Sequence, residues 1–151
     1  MQLRKPTLDD LHLLFGWIND PFTIRNSRSG KPVAWETHSR WFPEKLLDQN
    51  YRFFVGLTDD ESPCGLVWFY KNADGIFETS LNLASNWRGK HISEPLLRSA
   101  ILRNDPDSVY SAEIHNSNVV AIKVFRKCGF KLAYTQPNIS TYVRIKKAEA
   151  S

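Results

Sequence analysis

The sequence predicts a single α/β domain, a mixed and mostly antiparallel sheet of about seven strands flanked by about four helices. Three observations lead there. The chain has 151 residues, which suits one domain burying roughly two thirds of its unfolded surface. Its composition (42% hydrophobic, 13% aromatic, 24% charged) is that of a globular chain, not a disordered or disulfide-stapled one. The apolar period also switches between helical and strand spacing along the chain, giving the order β, α, α, β, β, β, α, β, α, β, β. No repeat or Gly/Ser linker interrupts it, so residues 1–151 read as one domain.

Residues 1–5 read as a short strand. Residues 9–19 carry Leu11, Leu14, Phe15 and Ile18 at helical spacing. A polar loop with Pro21, Gly30 and Pro32 follows, then a helix over 34–47 with Trp35, Trp41 and Phe42 among charged residues. The segments 51–57, 64–71 and 76–84 are rich in β-branched and aromatic residues and are separated by the turn signals DDESP and NADG, so they read as a three-strand meander. A helix over 93–103 presents Leu96, Leu97, Ala100 and Ile101 on one face. A strand at 108–114 leads to a helix at 118–128 capped by Gly129, and 130–135 and 140–146 are the last two strands.

Several function classes are excluded or demoted. No apolar run approaches the roughly 20 residues of a membrane-spanning helix, and the opening MQLRKPTLDD lacks the apolar core of a secretory signal. Cys64 and Cys128 lie outside any CxxC pattern, and His12, His38, His91 and His115 lack zinc-site spacing. The reading is a soluble, cytoplasmic, metal-free domain with no membrane partner; the sequence allows a homodimer without requiring one. A net charge of +4 favours an anionic partner. Arg25, Arg28 and Lys31 form one basic cluster, Arg88 and Lys90 a second, and Lys123, Arg126, Lys127 and Lys131 a third. No RNP-like aromatic pattern accompanies them, which ranks nucleic acid below a phosphorylated small molecule.

The segment LNLASNWRGKHISEPLL, residues 81–97, is the most informative. A strand ends, a basic turn follows and a helix begins. Proline is tolerated only in the first helical turn, so Pro95 places the helix start near Ser93, whose hydroxyl is the expected N-cap. Amides at 89–93 would then lie at the positive end of a helix dipole beside Arg88 and Lys90, a site for a phosphate or pyrophosphate or else an ordinary strand–turn–helix corner. A second segment, NVVAIKVFRKCGF at 118–130, is a helix ending in Gly129–Phe130.

Together these segments resemble the GNAT superfamily of acyl-CoA-dependent N-acetyltransferases. The run Arg88-Gly89-Lys90-His91-Ile92-Ser93 looks like the family's pyrophosphate loop, usually Q/R-x-x-G-x-G/A. Asn118, Ala121, Phe125, Gly129 and Phe130 match N-x-x-A-x-x-x-Y-x-x-x-G-F. The resemblance implies a splayed central strand pair, 76–84 against 108–114, with acetyl-CoA in the gap as co-substrate and no metal. Backbone groups around Leu83 would hold the pantetheine arm, amides from Arg88 through Gly89, Lys90, His91 and Ile92 to Ser93 the pyrophosphate, and Asn118 the pantetheine or thioester. His91 and Ser93 replace the two small loop residues. At a helix N-terminus φ is expected to be negative, which leaves both substitutions allowed. Phe125 replaces a tyrosine that commonly protonates the leaving thiolate, and reads as core.

Acyl transfer to an amine needs a proton acceptor and an oxyanion stabiliser. Glu78, Ser80 and Asn82 alternate onto one face of their strand, so Glu78 and Ser80 are candidates for a proton relay. Glu113 is the other candidate: a carboxylate withdrawn from water would be raised toward neutrality and suit a base. Trp17, Asn19, Asp20, Arg25, Asn26, Ser27, His38, Trp41 and Phe42 are similar to the W-x-N-D…R-N-S…H-x-x-W-F pattern of the branch that acetylates nucleotide-linked 4-amino sugars, as in pseudaminic acid biosynthesis. With that resemblance, Arg25, Arg28 and Lys31 could meet the nucleotide diphosphate, Trp41 offers a face to a sugar or base, and His38 a hydrogen bond or a proton acceptor; Arg25 and His38 are preferred, because Arg28 and Lys31 also read as solvated. Related branches acetylate protein N-termini, and a decayed, non-catalytic CoA-binding or protein-interaction module is the alternative from outside enzymology.

Overall fold

The computed structural model describes residues 1–146. Strand β1 (Gln2–Arg4) leads through a 3-10 turn (Leu8–Asp10) into α1 (Leu11–Ile18), α2 (Pro21–Arg25) and α3 (Trp35–Leu46). The meander β2 (Tyr51–Leu57), β3 (Pro63–Lys71) and β4 (Phe77–Leu83) follows, then α4 (Ser93–Asn104), β5 (Tyr110–His115), α5 (Val119–Lys127), β6 (Lys131–Thr135) and β7 (Ile139–Arg144). The seven strands form one sheet in the order β1-β2-β3-β4-β5-β7-β6. Every pairing is antiparallel except β4 with β5.

Among the described residues there are five α-helices where about four were expected. The extra one is α2, inside the segment read as a polar loop. Pro21 opens this helix instead of interrupting the chain: its fixed φ suits the first helical position, and Asp20 caps it by accepting from the Phe22 and Thr23 amides at 3.0 and 3.3 Å. A second difference concerns α4. Ile92, not Ser93, occupies the cap position and no side chain caps the helix, so Ser93 is its first residue.

Two apolar clusters sit on opposite faces of the sheet. One packs Phe54, Val67, Phe69, Phe77, Tyr110 and Ile114 against α4 and α5. The other packs Phe53, Val55 and Leu66 against Leu14 and Trp17 of α1 and Phe42 of α3. Helix α4 lies close to the sheet because two strand glycines admit Leu96: a Cβ at Gly56 would come within 2.6 Å of its Cδ1, and one at Gly65 within 2.8 Å of its Cδ2. That close approach fixes where the α4 N-terminus sits relative to the end of β4.

Helices α1 and α3 pack on the β2–β3 side of their face. On β4, β5 and β7 the same face is open, and there the polar alternation is displayed. Register places Glu78 opposite Tyr70 and beside Ser111, Ser80 opposite Trp68, Asn82 opposite Leu66, and Glu113 opposite Thr141. No helix of the described residues is long and apolar enough to cross a membrane.

Candidate functional site

The parallel pairing of β4 with β5 consists of two positions, Phe77 with Tyr110 and Glu78 with Ser111, after which the strands part. Pairing of β4 with β3 continues to Leu83. The Phe77 amide donates across to the Val109 carbonyl at 2.9 Å, so strand alternation turns the N–H and C=O groups of Thr79, Leu81 and Leu83 toward the gap. A strand edge is thus exposed to an extended, amide-bearing ligand. The gap opens into a cleft of about 1510 Å³ that runs from Phe125, Asn118 and Ser93 at one end to Trp41, Tyr51 and Glu113 at the other.

At the first end, β4 is followed by a 3-10 turn (Ser85–Trp87) and then by Gly89 at φ +74° and His91 at φ +58°. The positive φ at His91 corrects the expectation of a negative one: the two left-handed residues flank Lys90 and turn the chain into α4, and a residue with a Cβ is strained there. Among the described residues, no amide from Gly89 to Ser93 is bonded to a protein acceptor, whereas the Arg88 amide is taken by the Ser85 carbonyl. Free amides at the start of a twelve-residue helix, beside Gly89 and Ser93 in the cleft wall, fit an anionic pyrophosphate. Lys90 and Ile92 are not among the wall residues, while Lys123 and Lys127 of α5, singled out only as a charge cluster, are.

The Arg88 side chain serves a different purpose from the one expected. Its guanidinium donates to Asp20 at 2.5 Å, lies 3.5 Å from the Thr23 hydroxyl and stacks 4.7 Å above the Phe22 ring, so it clamps the start of α2 to the loop that leads into α4. Partial burial alone would raise the Asp20 carboxyl, but the Arg88 bond and the two capping amides outweigh it and hold it below its ordinary value. Asn118 caps α5, its Oδ1 accepting from the Ala121 amide at 3.3 Å, which leaves its Nδ2 to face the cleft as a donor. Phe125 is core, edge-on to Phe130 at 4.9 Å.

The other end has an aromatic wall and a charged floor. Trp41 meets Tyr51 and Trp68 edge-on at 5.8 and 5.5 Å, and Tyr70 lies 4.8 Å from Tyr51. Desolvation in this stack raises the Tyr51 hydroxyl. Glu78 accepts from Asn72 at 3.2 Å. Glu113 is exposed and pairs with Arg28 at 3.3 Å; the withdrawal from water expected of it is absent because its side of β5 faces the open cleft. Ser80, two residues past Glu78 on the same face of β4, also lines the cleft.

Residues 20–32 form a flap over this end. Its base is closed by Asn19, whose amide donates to the Val33 carbonyl at 2.9 Å while its Oδ1 accepts from the Val33 amide at 2.7 Å. The flap reverses the expected roles of its cations. Arg28 and Lys31 line the cleft, whereas Arg25 is exposed and outside the cleft wall, its guanidinium 5.6 Å from the ring of Phe22, which lines it. His38 is 4% exposed, donates through Nε2 to the Leu11 carbonyl at 2.9 Å and stacks on Phe42, so its ring is a core element reaching only the back of the cleft. Sequence reasoning passed over His115, which shares the Glu113 face and whose Nε2 lies 2.8 Å from the Ser27 carbonyl. It also passed over Tyr51, Trp68 and Tyr70 as cleft residues. Strand parity carried a signal for all four. Among the described residues no group of three His, Cys, Asp or Glu could hold a metal ion.

Comparison with known proteins agrees with this geometry. The profile of the acetyltransferase (GNAT) family matches residues 11–130. Among solved structures, spermidine N-acetyltransferase from Vibrio cholerae in complex with CoA and spermine superposes with a TM-score of 0.82 at 16% identity, over 96% of this chain and 95% of that one. The aminoglycoside acetyltransferase AAC(6')-Ib with coenzyme A and kanamycin gives 0.77 at 20% identity, over 96% and 94%. No curated protein sequence matches the chain. The branch resemblance drawn from the N-terminal third therefore has no counterpart among these neighbours, which share the fold.

Proposed function

Because the chain belongs to the acetyltransferase (GNAT) family, whose enzymes draw their acyl group from acetyl-CoA, we propose that it acetylates the primary amine of a small anionic acceptor, the 4-amino group of a nucleotide-linked amino sugar. The observation that carries the transferase reading is the parting of β4 from β5, which leaves the Leu81 and Leu83 backbone edge open and leads to the unbonded amides of Gly89 to Ser93. The pantetheine arm would pair along that edge, and the pyrophosphate would sit on those amides.

The acceptor reading rests on charge and shape. Arg28 and Lys31 sit over the acceptor end and offset Glu78 and Glu113, so this end offers no excess of negative charge to a polycation such as spermidine or an aminoglycoside. The same two cations suit a diphosphate, and the faces of Trp41 and Trp68 suit a sugar or base. Glu78 and Glu113 attract the acceptor ammonium, with Ser80 in the same cleft wall as a hydrogen-bond partner. Lys31 and Arg28 take over the role first given to Arg25.

Two measurements test this in sequence. At acetyl-CoA about 100-fold above Kd, binding stabilises the fold by about 2.7 kcal/mol and raises the unfolding midpoint by several degrees. No shift at millimolar ligand would remove the donor site and leave a non-catalytic module. Thiol release is then followed with a UDP-linked 4-amino sugar, spermidine, kanamycin and a peptide with a free N-terminus. The nucleotide sugar is expected to give the highest kcat/KM. A preference for spermidine or kanamycin would overturn the anionic acceptor, and one for the peptide would move the enzyme to the N-terminal class.

A further inference from the structure

We infer that His115 is the proton acceptor of this acetyl transfer, held for that task by the Ser27 carbonyl of the flap. The inference rests on the reading above, that an amine is acetylated in this cleft. His115 ends β5 where the strand has already parted from β4, on the same face as Glu113, and it lines the cleft while half buried. Its Nε2 lies 2.8 Å from the Ser27 carbonyl. A carbonyl oxygen can only accept, so Nε2 carries the hydrogen and the lone pair of the neutral ring is on Nδ1. Among the described residues Nδ1 has no hydrogen-bond partner, and it is not a buried unsatisfied atom either, so it is open to the cleft. The tautomer and the ring plane are thus set by a backbone group, leaving a basic nitrogen free.

The carboxylates and the other histidine of this end are engaged elsewhere. Glu113 faces Arg28, Glu78 faces Asn72, and His38 is buried on the Leu11 carbonyl. The charged groups nearest His115 are Glu113, two residues back on its own strand, and Arg28 on the flap, while β7 presents Ile139 and Thr141 on that face and Glu78 lies level with Ser111, four residues back. The acceptor ammonium gives one proton to Nδ1, directly or through one water. The neutral nitrogen then forms its bond to the thioester carbonyl carbon, and collapse of the resulting adduct breaks the C–S bond. The departing thiolate takes the second proton lost by the nitrogen, so the products are the acetamide, free CoA and a protonated His115 that solvent resets.

His115→Gln tests the assignment, because its amide retains a donor for the Ser27 carbonyl and lacks the basic nitrogen. With the best acceptor from the amine panel, His115→Gln is expected to lower kcat by about 100-fold or more at neutral pH, with acetyl-CoA affinity unchanged. The variant's rate is expected to rise with pH as the amine itself loses its proton, so the deficit is largest on the acid side and shrinks at high pH, where the amine is already neutral. Imidazole ¹⁵N shifts of the free enzyme should show the Nε2–H tautomer at His115. A variant within a few-fold of wild type with the same acid limb, or an Nδ1–H tautomer, overturns the inference while the transferase reading stands. Wild-type protein that binds acetyl-CoA but acetylates no amine overturns both.

Discussion

His91 stands at φ +58° one residue before the α4 cap, where a side chain with a Cβ crowds its own backbone. The left-handed conformation costs a non-glycine residue about 1–2 kcal/mol. Glycine recovers that strain but loses about 0.5–1 kcal/mol to the larger freedom of the unfolded chain. His91→Gly is therefore expected to stabilise by roughly 0.5–1 kcal/mol, or about 1–4 °C in midpoint for a chain of this length. Gly89→Ala and Gly30→Ala are the matched controls. Both glycines have positive φ, +74° and +67°, and a Cβ on either would meet nothing within 4 Å, so each substitution should destabilise through the backbone alone. Calorimetric melts with and without acetyl-CoA separate two roles for the imidazole. If His91 is only strained, the gain from glycine is the same in both conditions; if it donates to a phosphate, the gain shrinks with ligand present. A His91→Gly midpoint below wild type without ligand would refute the strain argument.

Glu113→Gln removes a charge that faces Arg28 and the cleft, so it should raise the acceptor KM by about 5-fold, the scale of an exposed pair, and leave kcat nearly intact. An equal fall in kcat would return the proton transfer to Glu113. Lys123 and Lys127 lie four apart on α5, and the Lys127 carbonyl accepts from Arg98 while the Cys128 thiol meets the Glu94 carbonyl, which brings that end of α5 beside the first two turns of α4. Replacing both by Ala should weaken acetyl-CoA binding several-fold and flatten its salt dependence in calorimetric titrations at two ionic strengths; an unchanged salt slope would exclude them from the donor site. Asp10 is held low by its hydrogen bonds from Arg4, at 2.8 and 2.9 Å, and from the Thr7 amide, which outweigh burial. A folded value below the unfolded one means that its stabilisation is present above about pH 4 and is lost as pH falls through the folded value. Asp10→Asn should cost about 1–3 kcal/mol at pH 7 and much less near pH 3 in urea unfolding. Equal losses at both would show that packing, not charge, is what the substitution removes.

How far the sequence reached depends on which interactions are local. Composition and turn signals located the strands of the meander, whose Phe53, Val67 and Phe77 must enter a core whatever else the chain does; β6 was placed without such a signal, since all five of its residues are exposed. The start of α4 was legible from Pro95. Helix α2 was missed although its signal was local: Asp20–Pro21 is an N-cap followed by a first-turn proline, and it was read as a break. The sign of φ at His91 was not available, since it depends on how β4 ends relative to a helix pinned by Gly56 and Gly65. The exchange of roles between Arg25 and Arg28 follows from where a five-residue helix stops, Arg25 being its last residue and Arg28 lying in the loop beyond, and period cannot fix that. His115 shares strand parity with Glu113 and could have been named beside it, but its partner is a backbone carbonyl 88 residues away, and no pattern of side chains encodes that.

The two ends of the cleft are joined through the flap, and the joints are made by different kinds of group. Asn19 closes the flap onto Val33 through its side-chain amide, so the segment between them behaves as one folded loop rather than a chain of independent residues. At one side of that loop Asp20 serves as helix cap and as the partner of Arg88 from the donor loop, 68 residues distant. At the other, the Ser27 carbonyl holds the ring of His115. A residue that shifts the loop therefore acts on α2, on the position of Arg88 and on the orientation of the proton acceptor together. The W-x-N-D…R-N-S string is in this light a description of the flap's anchors: Trp17 in the core, Asn19 at the closure, Asp20 at the clamp and Ser27 at the histidine. Its informative positions are those that fix the loop to the sheet, and the cations that face the acceptor lie just beyond it.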